Sequence, residues 1–320
     1  MTVSKNVNTL YTDLLYKLRF APIVNTRNGR AKALQEPIIF GSMNPTQRVL
    51  FNPLRKANPY LHVMETVWMF AGSKKVEWLA QFSKQMLNYA DDGEINGAYG
   101  HRWRLHFNKD QIMWVIKELQ RDGDSRQAVI AMYDPTVDQQ AHWKDRPCNT
   151  HIYFRRVNNK LDMTVCNRSN DVVWGACGAN AVHMTYLQEL VARSLKWGVG
   201  NYYVMSNNLH IYEPHWPLLE SPAPFDFYAE SPINQTVYPY PLFGPNESDP
   251  WEFLNECEQF VANDSEGYYK SGWLNDVALP MYEHYVCRLN GDKDTYDMQE
   301  TKATDWRLAE QLWKEWHSDY

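Results

Sequence analysis

Asp145-Arg146-Pro147-Cys148-Asn149 opens, and Asn167-Arg168-Ser169-Asn170-Asp171 closes, the stretch on which the fold and the chemistry turn. Between them, Thr150 to Arg156 and Leu161 to Asn167 are strand-forming runs parted by the turn signal Asn158-Asn159, so the stretch reads as a β-hairpin. Cysteine is the best neutral-pH nucleophile when something stabilises its thiolate, and an arginine nearby can do so. A free cysteine is more often buried packing, and that reading of Cys148 stands beside the reactive one. At the far end of the hairpin, Arg168 offers forked donors suited to phosphate, Ser169 a hydroxyl, and Asp171 an acceptor for an N–H-rich ring. The same residues also describe a polar turn with a helix cap.

Upstream, Asn58 to Gly72 reads as a helix with Leu61, Met64, Val67 and Trp68 on its apolar face and Gly72 at its end. Glu65 sits inside that apolar stretch, where burial raises a carboxyl toward catalytic usefulness, unless it lies on a solvated face. Asp110 to Gln120 reads as a second helix capped by Asp110, and Gln127 to Tyr133 as a buried strand closed by Asp134-Pro135. Downstream, Ala181 to Trp197 is the longest helical pattern, stopped near Gly198 and Gly200, and Tyr202 to Met205 returns to strand. His210 and Tyr212, two apart, fall on one face and can grip a sugar hydroxyl or simply pack together. Pro214 to Pro250 is too rich in proline for a regular helix and reads as a long excursion on one domain or a surface arm; Trp251 to Ala262 turns helical again. The mixture predicts an α+β fold.

The bulk numbers narrow the function. With 320 residues, 44% of them hydrophobic, the chain can bury a large core. A net charge of −6 argues against dedicated nucleic-acid binding, which needs a basic surface. One phosphate needs only a few placed arginines. No run approaches a membrane span and Met1 to Leu10 lacks a secretory core. Five scattered cysteines without a CxxC pair predict neither disulfides nor a metal site, which fits a cytoplasmic protein.

Taken in order, these segments resemble the thymidylate synthase and pyrimidine hydroxymethylase family. The set is Arg146-Pro147-Cys148, a hairpin, Arg168-Ser169-Asn170-Asp171, a glycine-containing loop ending in Asn180, then His210-Ile211-Tyr212. Tyr99-Gly100-His101-Arg102-Trp103-Arg104, Asp124-Ser125-Arg126 and Thr26-Arg27-Asn28-Gly29 resemble the family's upstream blocks. Together they run from about Arg27 to Tyr212. The resemblance implies a large mixed sheet covered by helices, a homodimer joined through that sheet, and a single catalytic domain spanning 1–320 with a divergent extension from about 214. It implies that Cys148 adds to C6 of a pyrimidine deoxynucleoside monophosphate, with 5,10-methylenetetrahydrofolate as co-substrate and no metal. Arg27, Arg168 and Ser169 would hold the phosphate, with Arg126 reaching it from the other subunit. Asn167 would lie with the substrate-binding residues. His210 and Tyr212 would bind the 3'-hydroxyl, Asp171 and Gly175 the folate, and Glu65 and Tyr99 would manage water and protons. A phage origin would place the enzyme in the host cytoplasm.

Departures from the synthase pattern choose the branch. Asn149 replaces the usual histidine after the nucleophile, Asn167 the usual glutamine, and the second phosphate arginine is Gln127. Where synthases place a tryptophan on the reacting centre, Gln85-Met86-Leu87-Asn88-Tyr89 has none. A wetter site lets water rather than hydride reach the one-carbon unit on C5, so the expected product is 5-hydroxymethyl-dUMP. Asn180 predicts uracil, because a carboxamide can donate to O4 and accept from N3–H. The loop before it is one residue longer than usual, and Ala179 in that slot would remove the argument. Thymidylate synthase, dCMP hydroxymethylase, a Cys148–His210 hydrolase and a non-catalytic nucleotide- or RNA-binding relative remain as alternatives.

Overall fold

A computed structural model describes residues 1–139, 142–220, 225–230, 236–244, 249–262, 267–291 and 302–317. Its strands are β1 (Thr2–Ser4), β2 (Ile23–Thr26), β3 (Gly29–Ala33), β4 (Ile38–Ser42), β5 (Val129–Ala131), β6 (Asn149–Val157), β7 (Lys160–Asn167), β8 (Asn170–Asp171), β9 (Gly198–Ser206) and β10 (Leu209–Tyr212). Its helices are α1 (Val7–Arg19), α2 (Pro59–Phe70), α3 (Val76–Phe82), α4 (Tyr99–Arg104), α5 (Gln111–Arg121), α6 (Pro135–Asp138), α7 (Ala179–Ser194), α8 (Pro250–Ala262), α9 (Leu279–Leu289) and α10 (Thr304–Trp316). One mixed sheet has the order β1-β4-β9-β7-β6-β5, and a smaller one the order β2-β3-β10-β8.

The expected hairpin is β6–β7, with Val157 paired to Lys160. Asn158 and Asn159 have φ of 49° and 59°, the left-handed pair that a two-residue turn requires and asparagine tolerates. Helix α2 starts where Asn58 accepts from the Leu61 N–H and has proline in its first turn. It ends before Gly72 at φ 69°. Every residue of α2 is buried, so Glu65 has no solvated face. Asp110 caps α5 through the Met113 N–H, as anticipated.

Three boundaries differ from expectation. Helix α7 stops at Ser194, and the chain reverses at Lys196 with φ 56°, so Gly198 and Gly200 belong to β9 instead of ending the helix. Gly200 is needed there, because a Cβ would come within 2.3 Å of the Asp162 carboxylate and 2.8 Å of the Leu161 carbonyl. Strand β5 is only three residues long: it is the sheet's edge, and the Gln111 side chain satisfies both the N–H and the C=O of Ala131.

The proline-rich excursion hugs the body rather than standing off as an arm, as far as residues 213–220, 225–230, 236–244 and 249–250 show; residues 221–224, 231–235 and 245–248 lie outside the described residues. Glu213–Leu219 is a 3-10 turn containing Pro217. Phe227, tilted, and Tyr228, edge-on, pack against Phe51, and Leu242 and Phe243 are buried. The last helices close over α2. Trp78 of α3 stacks on Tyr282 at 5.6 Å, the indoles of Trp273 and Trp306 both donate to the Tyr186 hydroxyl, and Tyr60 of α2 donates to Glu310 of α10 at 2.8 Å.

Candidate active site

Helices α2, α4 and α7, the 3-10 segment Lys84–Tyr89 and the loop before β6 converge on a cavity of about 180 Å³. Glu65, Tyr99 and Asn180 line it, as do Tyr89, Met86, Trp68 and Asp145. Burial, reinforced by Asp145, pushes the Glu65 carboxyl up to about 8, the direction expected from its apolar helix. Asp145 itself is raised by burial, against the opposing effect of a hydrogen bond from the Gly97 backbone and the Arg168 charge. Gly97 must be glycine for this contact, since a Cβ would lie 2.4 Å from the Asp145 carboxylate oxygen.

Cys148 lies against Tyr99, whose hydroxyl receives the Asn149 N–H at 3.4 Å and is raised well above its ordinary value by burial and by the neighbouring thiol. Arg168 clamps the nucleophile's loop from across the hairpin. Its backbone N–H donates to the Cys148 carbonyl at 2.9 Å, its Nε to the Pro147 carbonyl at 2.9 Å and an Nη to the Arg146 carbonyl at 3.0 Å. The guanidinium draws the Cys148 thiol down, but burial and Asp145 together outweigh it, so the thiol is raised in this state. The arginine's help anticipated from sequence is therefore real and insufficient alone.

Asn180 faces the cavity and Ala179 is not among its lining residues. The loop before Asn180 begins with one π-helical turn, Val172–Ala176. Asp171 caps that turn with Oδ1, accepting from the Val173 and Trp174 N–H groups, and leaves a buried Oδ2 without a partner. An orphaned carboxylate oxygen at this position fits an N–H-rich ring such as a pterin. Gly175 makes room for its neighbours: a Cβ would meet Asn170 Oδ1 at 2.5 Å and Asn180 Nδ2 at 3.2 Å.

Of the remaining expected residues, His210, Tyr212 and Arg27 belong to the small sheet, whereas Asn167 lies on β7 and Arg126 before β5 of the large one. His210 pairs in register with Asp171 and packs edge-on against Tyr212 at 4.9 Å, with Nδ1 against Asn208 Oδ1. Arg27 is exposed in the β2–β3 turn, where Asn28 donates to the Tyr212 hydroxyl at 3.4 Å. Ser169 lies in the tight link between β7 and β8. Asn167 is buried, bonded to Asn149 and to Ser206. Arg126 is exposed without a side-chain partner among the described residues. No hydrogen bond joins Cys148 to His210 among the described residues, so the hydrolase alternative lacks its required contact. Asp145, Tyr89 and His183 were not singled out as site residues from the sequence. Asp145 had a signal, its place three residues before the cysteine; His183 had none beyond being a histidine in an apolar helix.

Residues 50–223 match the family described as thymidylate synthase. The chain belongs to the thymidylate synthase family. Within that family it is similar to a protein of Pseudomonas phage M6 named deoxyuridylate hydroxymethyltransferase, 37% identical over 98% of this chain and 93% of that one. A protein of Bacillus phage SP01 with the same name is 35% identical over 90% of this chain and 74% of its own. A putative thymidylate synthase of Methanothermobacter marburgensis is 30% identical but covers 51% of this chain. The family match stops at residue 223 while the M6 alignment spans nearly the whole chain, so the segment after Pro214, unmatched in the sequence reading, is shared with a phage relative. Thymidylate synthase-like enzymes use methylenetetrahydrofolate. Among the described residues no helix is long and apolar enough to cross a membrane.

Proposed function

We propose that this enzyme hydroxymethylates C5 of dUMP, with methylenetetrahydrofolate and water as co-substrates. The observation that carries the reading is the likeness to the M6 deoxyuridylate hydroxymethyltransferase over 98% of the chain. The cavity supports it independently. Where the synthase pattern has a tryptophan, Met86 and Tyr89 form the wall, and Glu65, Tyr99, Asp145 and Asn180 make the interior polar enough to hold water.

In this reading Cys148 bonds to C6 of the uracil, and electron density moves to C5. The folate, when bound, supplies the one-carbon unit, with Asp171 Oδ2 and the backbone at Gly175 as its seat. Tyr99, beside Cys148, takes part in removing the C5 proton, and tetrahydrofolate would leave as its bond to the one-carbon unit breaks, giving a methylene on C5. Glu65 enters as the acid and donates towards O4 as Cys148 adds to the ring; that proton would pass to the departing folate, and the Glu65 carboxylate takes its replacement from water as the hydroxyl adds to the methylene on C5. The electron pair passes back through C5 and expels the Cys148 thiolate from C6, restoring the ring. Arg27, Arg168 and Ser169 hold the phosphate, and His210 and Tyr212 the 3'-hydroxyl. Asn167 acts from behind, by holding Asn149.

Arg126 completes the phosphate site across a homodimer. The open face of the large sheet supports this assembly: Ile39, Met205, Cys166 and His151 form one register row across four strands, with Ile39, Met205 and nearby Tyr153 exposed. Such an apolar sheet face calls for a cover.

Mass spectrometry of the product from dUMP and from dCMP tests the reading. Hydroxymethyl-dUMP without dihydrofolate formation supports it; dTMP with dihydrofolate, or turnover of dCMP alone, overturns it. Asn180→Asp is expected to move preference toward dCMP, since a carboxyl can match the reversed donor–acceptor edge of cytosine.

A further inference from the structure

His183 stands on α7 directly behind Glu65, with Nε2 3.5 Å from Glu65 Oε2. It is fully enclosed, and neither ring nitrogen makes a well-formed hydrogen bond among the described residues. A buried imidazole left so is destabilising, and an apolar residue in the α2–α7 interface would avoid that cost. Among the described residues Nε2 is the sole basic atom within 4.0 Å of the carboxylate.

The other titratable groups around Glu65 do not replace it. Asp145, from the nucleophile's loop, repels charge on Glu65. Tyr99 of α4 points to the Asn149 N–H, and Tyr89 lies at the cavity wall between the fields of Asp145 and Asp171. His62, one turn earlier on α2, is held to about 3 by burial and by Arg55. His183 is neutral, pushed well below its ordinary value by burial and by His62, with the His62 backbone favouring a proton on the ring. A neutral ring with its proton on Nδ1 leaves the Nε2 lone pair toward Glu65.

We infer that His183 is the positioning residue of Glu65, its Nε2 accepting the hydrogen bond of the protonated carboxyl and holding that acid aimed into the cavity. The arrangement stabilises the protonated form from the core side while the second carboxyl oxygen serves the substrate. It deepens the functional reading above and rests on it for Glu65's part in proton transfer.

The test uses the full-length enzyme and tritium release from C5-labelled dUMP across pH. His183→Leu is expected to lower kcat about tenfold or more with KM for dUMP within about twofold, and to move the Glu65 limb of the profile downward. His183→Gln, which keeps an acceptor, is expected to restore both. Should the leucine variant not fold, His183→Asn, whose amide falls short of Glu65, is expected to show the same loss and the same shift. A kcat and pH limb matching wild type in the leucine or asparagine variant overturns the inference. So does a glutamine variant that regains neither. Tritium release precedes the choice between hydroxymethyl and methyl product, so a methyl product defeats the functional reading alone. A wild-type enzyme that releases no tritium at all defeats that reading and this inference with it.

Discussion

Asn167 Nδ2 donates to Asn149 Oδ1 at 2.7 Å across the β6–β7 pair, so the two asparagines that depart from the synthase pattern touch each other. Ser206 of β9 donates to Asn167 Oδ1, and the Asn149 N–H reaches Tyr99, which makes a polar row from the third strand to the nucleophile's neighbour. Asn149 Nδ2 is left buried and unpartnered. In a double-mutant cycle, Asn149→Ala and Asn167→Ala are expected to couple by about 1 kcal/mol in urea unfolding. Strict additivity would mean that the contact contributes nothing.

Glu65→Gln is expected to abolish most turnover while stabilising the fold in alkali. Its carboxyl is raised from 4.5 to about 8 in the folded chain. A raised carboxyl contributes stability below its unfolded value and loses it as pH climbs through the folded one. The wild-type protein therefore weakens between about pH 4.5 and 8, and glutamine removes that loss, by on the order of 3 kcal/mol at pH 9. Urea midpoints of both proteins at pH 5 and pH 9 measure it; equal differences at the two pH values would contradict the burial argument.

Cys148 in the free enzyme is expected to alkylate slowly at pH 8, since burial and Asp145 raise the thiol despite Arg168. Asp145→Asn removes one raising influence and should speed iodoacetamide labelling several-fold, whereas Arg168→Lys, which cannot hold both loop carbonyls through a planar fork, should slow it. Labelling monitored by peptide mass spectrometry decides. An unchanged rate in Asp145→Asn would remove that carboxylate from the electrostatics of the nucleophile.

Much of this was legible in the sequence, for physical reasons that differ by element. The hairpin and α2 were readable because Asn158-Asn159, Asn58 and Gly72 act locally, through φ and capping. Glu65 was readable because a carboxylate in an apolar helix has few roles. The end of α7 was misread because glycine signals both a stop and a close approach, and only the contact of Gly200 with Asp162 and Leu161 distinguishes them. The extra residue before Asn180 left two registers open, and it is Asn180 rather than Ala179 that lines the cavity. His183 was invisible as a site member, and Asp145 was betrayed only by its place three residues before Cys148, because their meaning comes from what stands opposite them in space.

Acid is expected to loosen the C-terminal helices. Burial raises the Glu310 carboxyl, but the hydrogen bond and charge of His284, with Lys314 and Tyr60, outweigh it and hold it below its ordinary value. A depressed carboxyl contributes stability above its unfolded value and loses it as pH falls through the folded one. Glu310→Gln should therefore cost roughly 3 kcal/mol at pH 7 and flatten the acid side of the stability curve. Thermal unfolding from pH 3 to 7 checks both; parallel curves would show that Glu310 is not the acid-sensitive group.

The Tyr60–Glu310 bond spans 250 positions of sequence and fastens the helix that bears Glu65 to the last helix of the fold. A ribosome must pass residue 310 before α2 gains this bond, so shorter nascent segments lack the fastening of the helix that bears Glu65. Contacts of such sequence separation form late relative to the local turns and caps that shape α2 itself.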